Sequence, residues 1–431
     1  MHKKILQIAV PAIISNITVP LLGLVDVVIV GHLGAASYIG AIAVGGMMFS
    51  LIYWIFAFLR MGTSGMTAQA WGRRDLGEVA RLFVRSMSIA FAIGLILIAL
   101  QKPIVGLVFR FISASDEVRL LACRYFGICI WGAPAALGLF SLSGWYIGVQ
   151  NSRLPMWVAI IQNVVNIVVS TVLVIFFGMK IEGVAIGTLV AQYAALLLAL
   201  GLCRKYYGRV VRRAEIMKSF GRGEMMRFFG VNGDIFLRML CLVAVTVYFT
   251  SAGARNGDVV LAVNTLIMQF FTLFSYFMDG FAYAGEALCG KSKGSGDYPQ
   301  FRATVRALFG WGVALAGIVS FVYLLGGEAF VGVMTDDASV VAESAHYIMW
   351  AGVIPVASFA AFLFDGIFIG ITATKGMLVS MFTAMLCFFG IVTLCNDYNN
   401  HVLLFAFVLY LFVRGVIQYA IYKMYIIRKF I

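Results

Sequence analysis

The stretch Pro20–Gly34, PLLGLVDVVIVGHLG, decides how this chain is read. It places one carboxylate, Asp26, inside an apolar run long enough to be a membrane helix. Even on a lenient insertion scale, an ionised acid buried in hydrocarbon costs about 2.5–3.5 kcal/mol. Such a residue is paired, protonated or working. Whether the rest of the chain also belongs in a membrane is therefore the first question.

Composition answers it. Of 431 residues, 62% are hydrophobic and only 12% charged, against about 45–50% and about 25% in soluble domains. Mean hydropathy is +0.98. Inside a bilayer every backbone polar group needs an internal partner, so only helices or a closed barrel can span it. Apolar runs of about 20 residues favour helices, and these runs lack the every-second-residue alternation of barrel strands. The fold class expected is all-α integral membrane, with twelve transmembrane helices.

Net charge is +13. In a soluble protein that would point to nucleic acid. Here Lys and Arg collect in cytoplasmic loops by the positive-inside rule, and no basic domain stands outside the membrane, so no nucleic-acid partner is expected. The seven cysteines form no CxxC pair and the four histidines are scattered, so neither a disulfide framework nor a metal site is indicated. Lys3-Lys4 would suit a signal peptide, but the following apolar run is too long and contains Pro11 and Pro20. It reads as the first span.

The hydropathy criterion places spans at 7–31, 40–70, 82–100, 119–148, 155–178, 183–203, 229–252, 259–288, 304–325, 340–371, 376–395 and 402–425. With the N-terminus inside, the inner connections carry most of the basic residues, including Arg73, Arg74 and Arg81, then Arg204 to Arg227, and finally Lys423, Arg428 and Lys429. The outer connections after spans 1, 9 and 11 carry none. That asymmetry places both termini in the cytoplasm. The chain divides into an N-lobe (1–203), a basic cytoplasmic linker (204–228) and a C-lobe (229–431).

The two halves echo each other. FLRMGTSGMTAQAWGRRDLGE ends span 2 and FMDGFAYAGEALCGKSKGSGD ends span 8, and they superpose without a gap when Gly72 is set on Gly290, an offset of 218. SGWYIGVQ (143–150) echoes DGIFIGIT (365–372), and the outer segments ISASDEV and VMTDDASV form a third pair. Two like-oriented six-span lobes, pseudo-symmetric about an axis along the membrane normal, are a secondary-transporter layout.

Depth gathers one group of residues. Asp26 is about six residues, or about 9 Å, from the outer end of span 1. Asn163 falls near mid-membrane on span 5, with Asn166 and Ser170 progressively further out, and Thr188 on span 6 about 10 Å below the outer boundary. These groups can face one cavity. A carboxyl that gains and loses a proton there can load on one side and unload on the other. The alternative is that Asp26 hydrogen-bonds Asn166 and locks two helices. Pro11 removes a backbone hydrogen bond within span 1, either as a hinge that answers protonation of Asp26 or as a static kink. A second group, Arg238, Asp279, Glu286, Asp365 and Arg414, lies in the inner half of spans 7, 8, 10 and 12, with Arg60 at similar depth in span 2. Opposite charges at one depth imply pairing, as a structural or gating network or as a second ion site.

Span 1 with PLLGLVDVVIVGHLG, span 2 with FLRMGTSGMTAQAWG, span 8 with MDGFAYAGEALCG and span 10 with FDGIFIG together resemble the MATE (multidrug and toxic compound extrusion) transporters, specifically the DinF-like branch. The resemblance covers essentially the whole chain. It implies a V-shaped pair of six-helix bundles alternating between outward and inward openings. It also implies export of organic, often cationic, compounds against an inward flow of protons or sodium, with Asp26 at the family's proton site. Pro11 matches a proline linked to bending of span 1, and Asn166 and Thr188 match polar partners. On span 5 the family pattern of Asn, three residues, then Asp reads Asn166-Ile-Val-Val-Ser170 here, so the second acid is missing.

The expected partners are small organic molecules and the bilayer of the cell's inner membrane, with a proton or sodium ion coupled, no cofactor, and the monomer as the working unit. Three further readings compete: a sodium-coupled drug antiporter; a flippase for lipid-linked precursors, which would use Arg60, Arg238 and Arg414 as a cationic cavity; and an intramembrane serine protease suggested by Gly62-Thr63-Ser64-Gly65. The protease needs a histidine at the depth of Ser64, and His32, His346 and His401 lie near the outer face. No HExxH or Walker A sequence is present, so an ATP-driven pump is unsupported.

Overall fold

The computed structural model describes residues 1–31, 36–110, 115–335, 337–395 and 399–426. His32, Arg428, Lys429 and parts of the two outer segments paired above (112–114 and 336) lie outside the described residues. Among the described residues there is no strand. Twelve long helices form the scaffold. They are α1 (His2–Gly31), α2 (Ser37–Gly72), α3 (Leu76–Ala99), α4 (Asp116–Gly148), α5 (Arg153–Ile175) and α6 (Ile181–Val211), then α7 (Arg222–Arg255), α8 (Asp258–Ser295), α9 (Tyr298–Met334), α10 (Ala338–Gly370), α11 (Thr374–Leu394) and α12 (Asn400–Met424). Helices α2 to α12 are each long and apolar enough to cross a membrane. At 30 residues, α1 is about 45 Å long, against about 30 Å of hydrocarbon.

Two spans are interrupted. Helix α2 breaks at Ala57, between Ala36–Phe56 and Phe58–Gly72. Helix α4 passes through a 3-10 turn, Ile130–Gly132, just before Pro134. Proline has no N–H to donate, so it is tolerated in the first turn of the segment that follows.

The basic linker expected at 204–228 is mostly helical. Helix α6 continues to Val211, a short helix covers Ile216–Ser219, and α7 begins at Arg222. Arg, Lys and Glu are good helix formers, so a charged stretch at a span end extends the helix beyond the apolar core.

The chain divides into two compact units, one of Val10–Phe228 and one of Met1–Ala9 with Phe229–Ile431. The division falls at 228/229, so the segment 204–228 clusters with the first unit. The first nine residues differ, because they cluster with the second half: Trp311 Nε1 donates to His2 Nδ1 at 3.1 Å, and Thr304 Oγ1 donates to Met1 Sδ at 3.4 Å.

Each unit is built around its fourth span. Helices α4 and α10 are the most buried, with 72% of the most apolar stretch of each enclosed by protein. Within its own unit α4 packs on α2, α3 and α6, and α10 packs on α8, α9 and α12. Glycines set these contacts. A Cβ on Gly144 would lie 2.2 Å from the Arg60 carbonyl oxygen, and a Cβ on Gly366 would lie 2.2 Å from that of Ala282. Only glycine lets the backbones approach so closely.

Those contacts correct the register of the echo between spans 2 and 8 and agree with that of 143–150 in 365–372. The internal geometry of the two units matches at an offset of 222, as in Gly144 to Gly366 and Gly148 to Gly370, rather than at 218. Gly148 meets the Ser64 carbonyl as Gly370 meets that of Glu286. Arg74 and Gly296 both take positive φ, as do Gln150 and Thr372. Asp75 caps α3 by accepting from the Glu78 amide, and Asp297 caps α9 by accepting from the Gln300 amide, both at 2.9 Å. The two offsets differ by four residues, about one helical turn. Such a slip keeps small residues on the same helix face, so the sequence echo looked equally good one turn out of place.

Candidate functional site

In the first-half unit, Asp26 is 5% exposed on α1. Among the described residues its Oδ1 accepts no hydrogen bond. Helix α5 supplies three polar side chains on one face. Asn163 Nδ2 donates to the Thr18 carbonyl of α1 at 2.8 Å. Asn166 is fully buried and its Nδ2 donates to Thr188 Oγ1 of α6 at 2.9 Å, while its Oδ1 is left without a donor. Ser170 is fully buried, with an unbonded hydroxyl. It packs on Gly187 of α6 so tightly that a Cβ there would lie 2.1 Å from its Oγ.

Part of the grouping expected from depth is seen. The Asn166–Thr188 pair forms, and Asn163 ties α5 to α1. Among the described residues no hydrogen bond joins Asp26 Oδ1 to Asn166, whose amide donates to Thr188. Other neighbours were missed. Tyr125 and Cys129 of α4 lie within electrostatic reach of Asp26, and Tyr125 also contacts Thr188. The Cys129 thiol donates to the Ala185 carbonyl at 3.7 Å. Gln192 stands one turn beyond Thr188 on α6, buried, with Oε1 unbonded. Its i+4 spacing from Thr188 was a usable signal.

The second-half unit resolves its charges differently. Asp365 on α10 accepts from the guanidinium groups of Arg238 on α7 and Arg414 on α12 through Oδ2. Its Oδ1 accepts from Gln418 Nε2 at 2.7 Å. All four side chains are buried. Arg414 also sits over the Phe362 ring, 5.8 Å from its centroid. Asp279 is half-buried on α8 and within electrostatic reach of Arg238. Glu286 is buried two turns further along α8, where its backbone carbonyl meets Gly370. Arg60, grouped with these residues by depth, belongs to the other unit. Gln418 was missed, although it lies four residues beyond Arg414 on the same helix face.

A buried charge network in the first unit was also missed. Arg85 on α3 is 1% exposed. It donates to the Ser219 carbonyl at 2.7 Å and pairs with Glu224 at 3.4 Å and Glu78 at 3.5 Å. It therefore fastens the connection between the halves to α3. Ser64, the protease candidate, donates its hydroxyl to the Met61 carbonyl at 2.9 Å, one turn earlier in its own helix.

Among the described residues, twelve long helices in two repeated units, with acids buried among them, have the layout of a polytopic membrane transporter. The comparisons narrow the class. The MatE family model matches the chain twice, over residues 11–172 and 235–393. DNA damage-inducible protein F of Escherichia coli (strain K12) is 36% identical, covering 98% of this chain and 92% of that one. A probable multidrug resistance protein NorM of Rhizobium meliloti (strain 1021) is 25% identical, covering 84% of this chain and 78% of that one. A crystal structure of MATE in the bent conformation superposes with a TM-score of 0.90 at 18% identity, covering 99% of this chain and 95% of that one, which shows a shared fold. The chain belongs to the MatE family.

Proposed function

We propose that this transporter exports organic, often cationic, compounds by antiport with protons, and that Asp26 is the group that binds and releases the proton. The observation that carries the reading is the contrast between its two buried aspartates. Asp365 is held by two arginines and a glutamine. Asp26 is equally removed from solvent, yet one of its oxygens accepts nothing among the described residues. An acid without a fixed cation is free to exchange a proton, whereas one clamped by two guanidinium groups is a structural partner.

Asn163, Asn166, Ser170 and Thr188 shape the surroundings of Asp26, with Asn163 holding α5 against α1. A sodium ion would need a shell of several oxygens drawn from more than one helix, such as Asn166 Oδ1 and Ser170 Oγ beside the carboxylate. A proton needs a single acceptor, which favours proton coupling. Pro11 lies fifteen residues before Asp26 in the same continuous helix, about 22 Å along it. It serves as the hinge that converts proton binding into movement of α1. Asp365, Arg238 and Arg414, with Asp279 and Glu286 nearby, form the network that stiffens the second half. A flippase would want arginines left over for a pyrophosphate, and here two donate to one carboxylate. Both termini face the cytoplasm of the inner membrane by the positive-inside rule. One chain is the working unit, since it carries both repeats.

The test is dye efflux from proteoliposomes under a pH gradient or a sodium gradient imposed separately, comparing the native chain with Asp26→Asn. The expected outcome is efflux driven by the pH gradient alone and abolished by the substitution. Sodium-driven efflux would move the coupling site elsewhere, and normal transport by Asp26→Asn would make Asp26 structural. Full transport by Pro11→Ala would remove the hinge.

A further inference from the structure

The second-half unit holds a pocket of about 220 Å³ between α9, α10 and α12. A single water needs only about 10–15 Å³, so this is space for a molecular group. Two arginines, Arg302 and Arg306, border it, and Phe309, Phe364, Tyr419 and Tyr422 line the remainder. The arginines lie one helical turn apart on α9 and both are exposed. Among the described residues neither makes an ion pair.

The corresponding end of the first half makes the contrast plain. At the offset of 222, Arg302 and Arg306 fall on Ala80 and Val84. The arginines of that helix are Arg81 and Arg85, and both are engaged: Arg81 with Glu78 at 2.8 Å, Arg85 with Glu78, Glu224 and the Ser219 carbonyl. The shared scaffold therefore does not require two guanidinium groups without an ion-pair partner among the described residues over an aromatic pocket. Their chemistry is that of an anion site, since arginine matches phosphate oxygens with two parallel donors.

The lining says which kind of anion. A free inorganic anion gains nothing from four aromatic rings, whereas the junction of a phospholipid headgroup with its acyl chains suits them. The outward face of α9 then continues from Arg306 through Gly310, Ala314 and Gly317 to Phe321, all exposed, and no atom stands within 4 Å of a Cβ built at Gly310 or Gly317. Small side chains there leave the helix surface open to an acyl chain. Basic pockets between membrane helices, at the end where basic loops collect, attract anionic headgroups.

We propose that this pocket binds an anionic phospholipid, its phosphodiester held by Arg302 and Arg306 and one acyl chain lying along α9. The site requires only that the chain spans a bilayer, and it stands or falls apart from the role given to Asp26. The experiment is native mass spectrometry of the full-length protein in detergent, titrated with phosphatidylglycerol or phosphatidylcholine. The native protein is expected to retain phosphatidylglycerol under activation that strips phosphatidylcholine. Arg302→Gln with Arg306→Gln should weaken phosphatidylglycerol retention by roughly tenfold or more. Arg204→Gln with Lys205→Gln, an exposed basic pair at the end of α6, should leave it unchanged. Equal retention of the two lipids by the native protein would overturn the proposal without recourse to any variant. So would an equal effect of the two double substitutions, or displacement of phosphatidylglycerol by millimolar inorganic phosphate, which would mark a site for a soluble anion.

Discussion

In the first half of the molecule Asp26 keeps an oxygen that accepts nothing among the described residues, while in the second half Asp365 accepts from Arg238, Arg414 and Gln418. Both acids are buried, and both belong to units with the same glycine contacts, the same turns and the same helix caps at an offset of 222. What the halves share is backbone. What they do not share is buried charge: Ser143 stands where Asp365 would fall, and Ala307 stands where Arg85 would fall. Scaffold and electrostatics have been set independently. The proposed function would use that separation, since it asks one acid to stay exchangeable while the frame around it holds its shape.

The largest expected effect tests that contrast directly. Asp365→Asn leaves two buried guanidinium groups without their counter-charge, and breaking one partner of a buried ion pair costs about 3–5 kcal/mol. Thermal unfolding of the purified protein should show a large fall in Tm. Asp26→Asn removes no described hydrogen bond from Oδ1 and should barely move Tm while it stops efflux. Adding Arg238→Gln to Asp365→Asn should recover part of the loss, because the two sites share one network. If Asp26→Asn destabilises as much as Asp365→Asn, Asp26 is a structural acid and the contrast collapses.

Much of this was legible in the sequence, and the reasons are physical. Hydropathy located the helices, eleven of which among the described residues are long and apolar enough to cross a membrane, because lipid imposes both length and composition on a helix. Depth counting brought Asn166 to Thr188 and Arg238 and Arg414 to Asp365, because rise along a helix is regular. Rotation about the helix axis was harder to read. Asn166 could turn its amide to Asp26 or to Thr188, and only packing decides which. The network of Arg85 was hidden because its partners Ser219 and Glu224 lie in a stretch taken for a linker. The echo between spans 2 and 8 was found one turn out of register, since a 3.6-residue period forgives a four-residue slip, while the echo of 143–150 in 365–372 already stood at 222.

That register is itself open to test, with a middling effect. Gly144→Ala and Gly366→Ala each drive a methyl group into a backbone carbonyl of the neighbouring helix. Overpacking of this kind costs about 1–3 kcal/mol, so both should lower Tm by similar amounts. Gly317→Ala, with nothing within 4 Å of its Cβ, should be tolerated. Loss of stability in only one of the two crowded positions would mean that the halves share a chain path but not a packing scheme.

The smallest effects lie at the matched caps. Asp75 and Asp297 each accept from the amide three residues on, at the first turns of α3 and α9. Replacing such a cap with alanine costs about 0.5–2 kcal/mol, too little to be convincing in a global melt of a large membrane protein. Hydrogen exchange at the first turn of each helix reads it locally, and Asp75→Ala and Asp297→Ala should both speed exchange there. The two are not identical. Asp75 also lies 4.0 Å from Arg81, an ion pair at a half-exposed position worth at most about 1 kcal/mol. Asparagine keeps the cap but not the charge, so Asp297→Asn should exchange like the native chain, and Asp75→Asn should show only the ion-pair fraction. If instead both asparagine variants exchange as fast as the alanine ones, charge rather than geometry holds these turns. The caps would then belong with the features that the halves set separately, not with those they share.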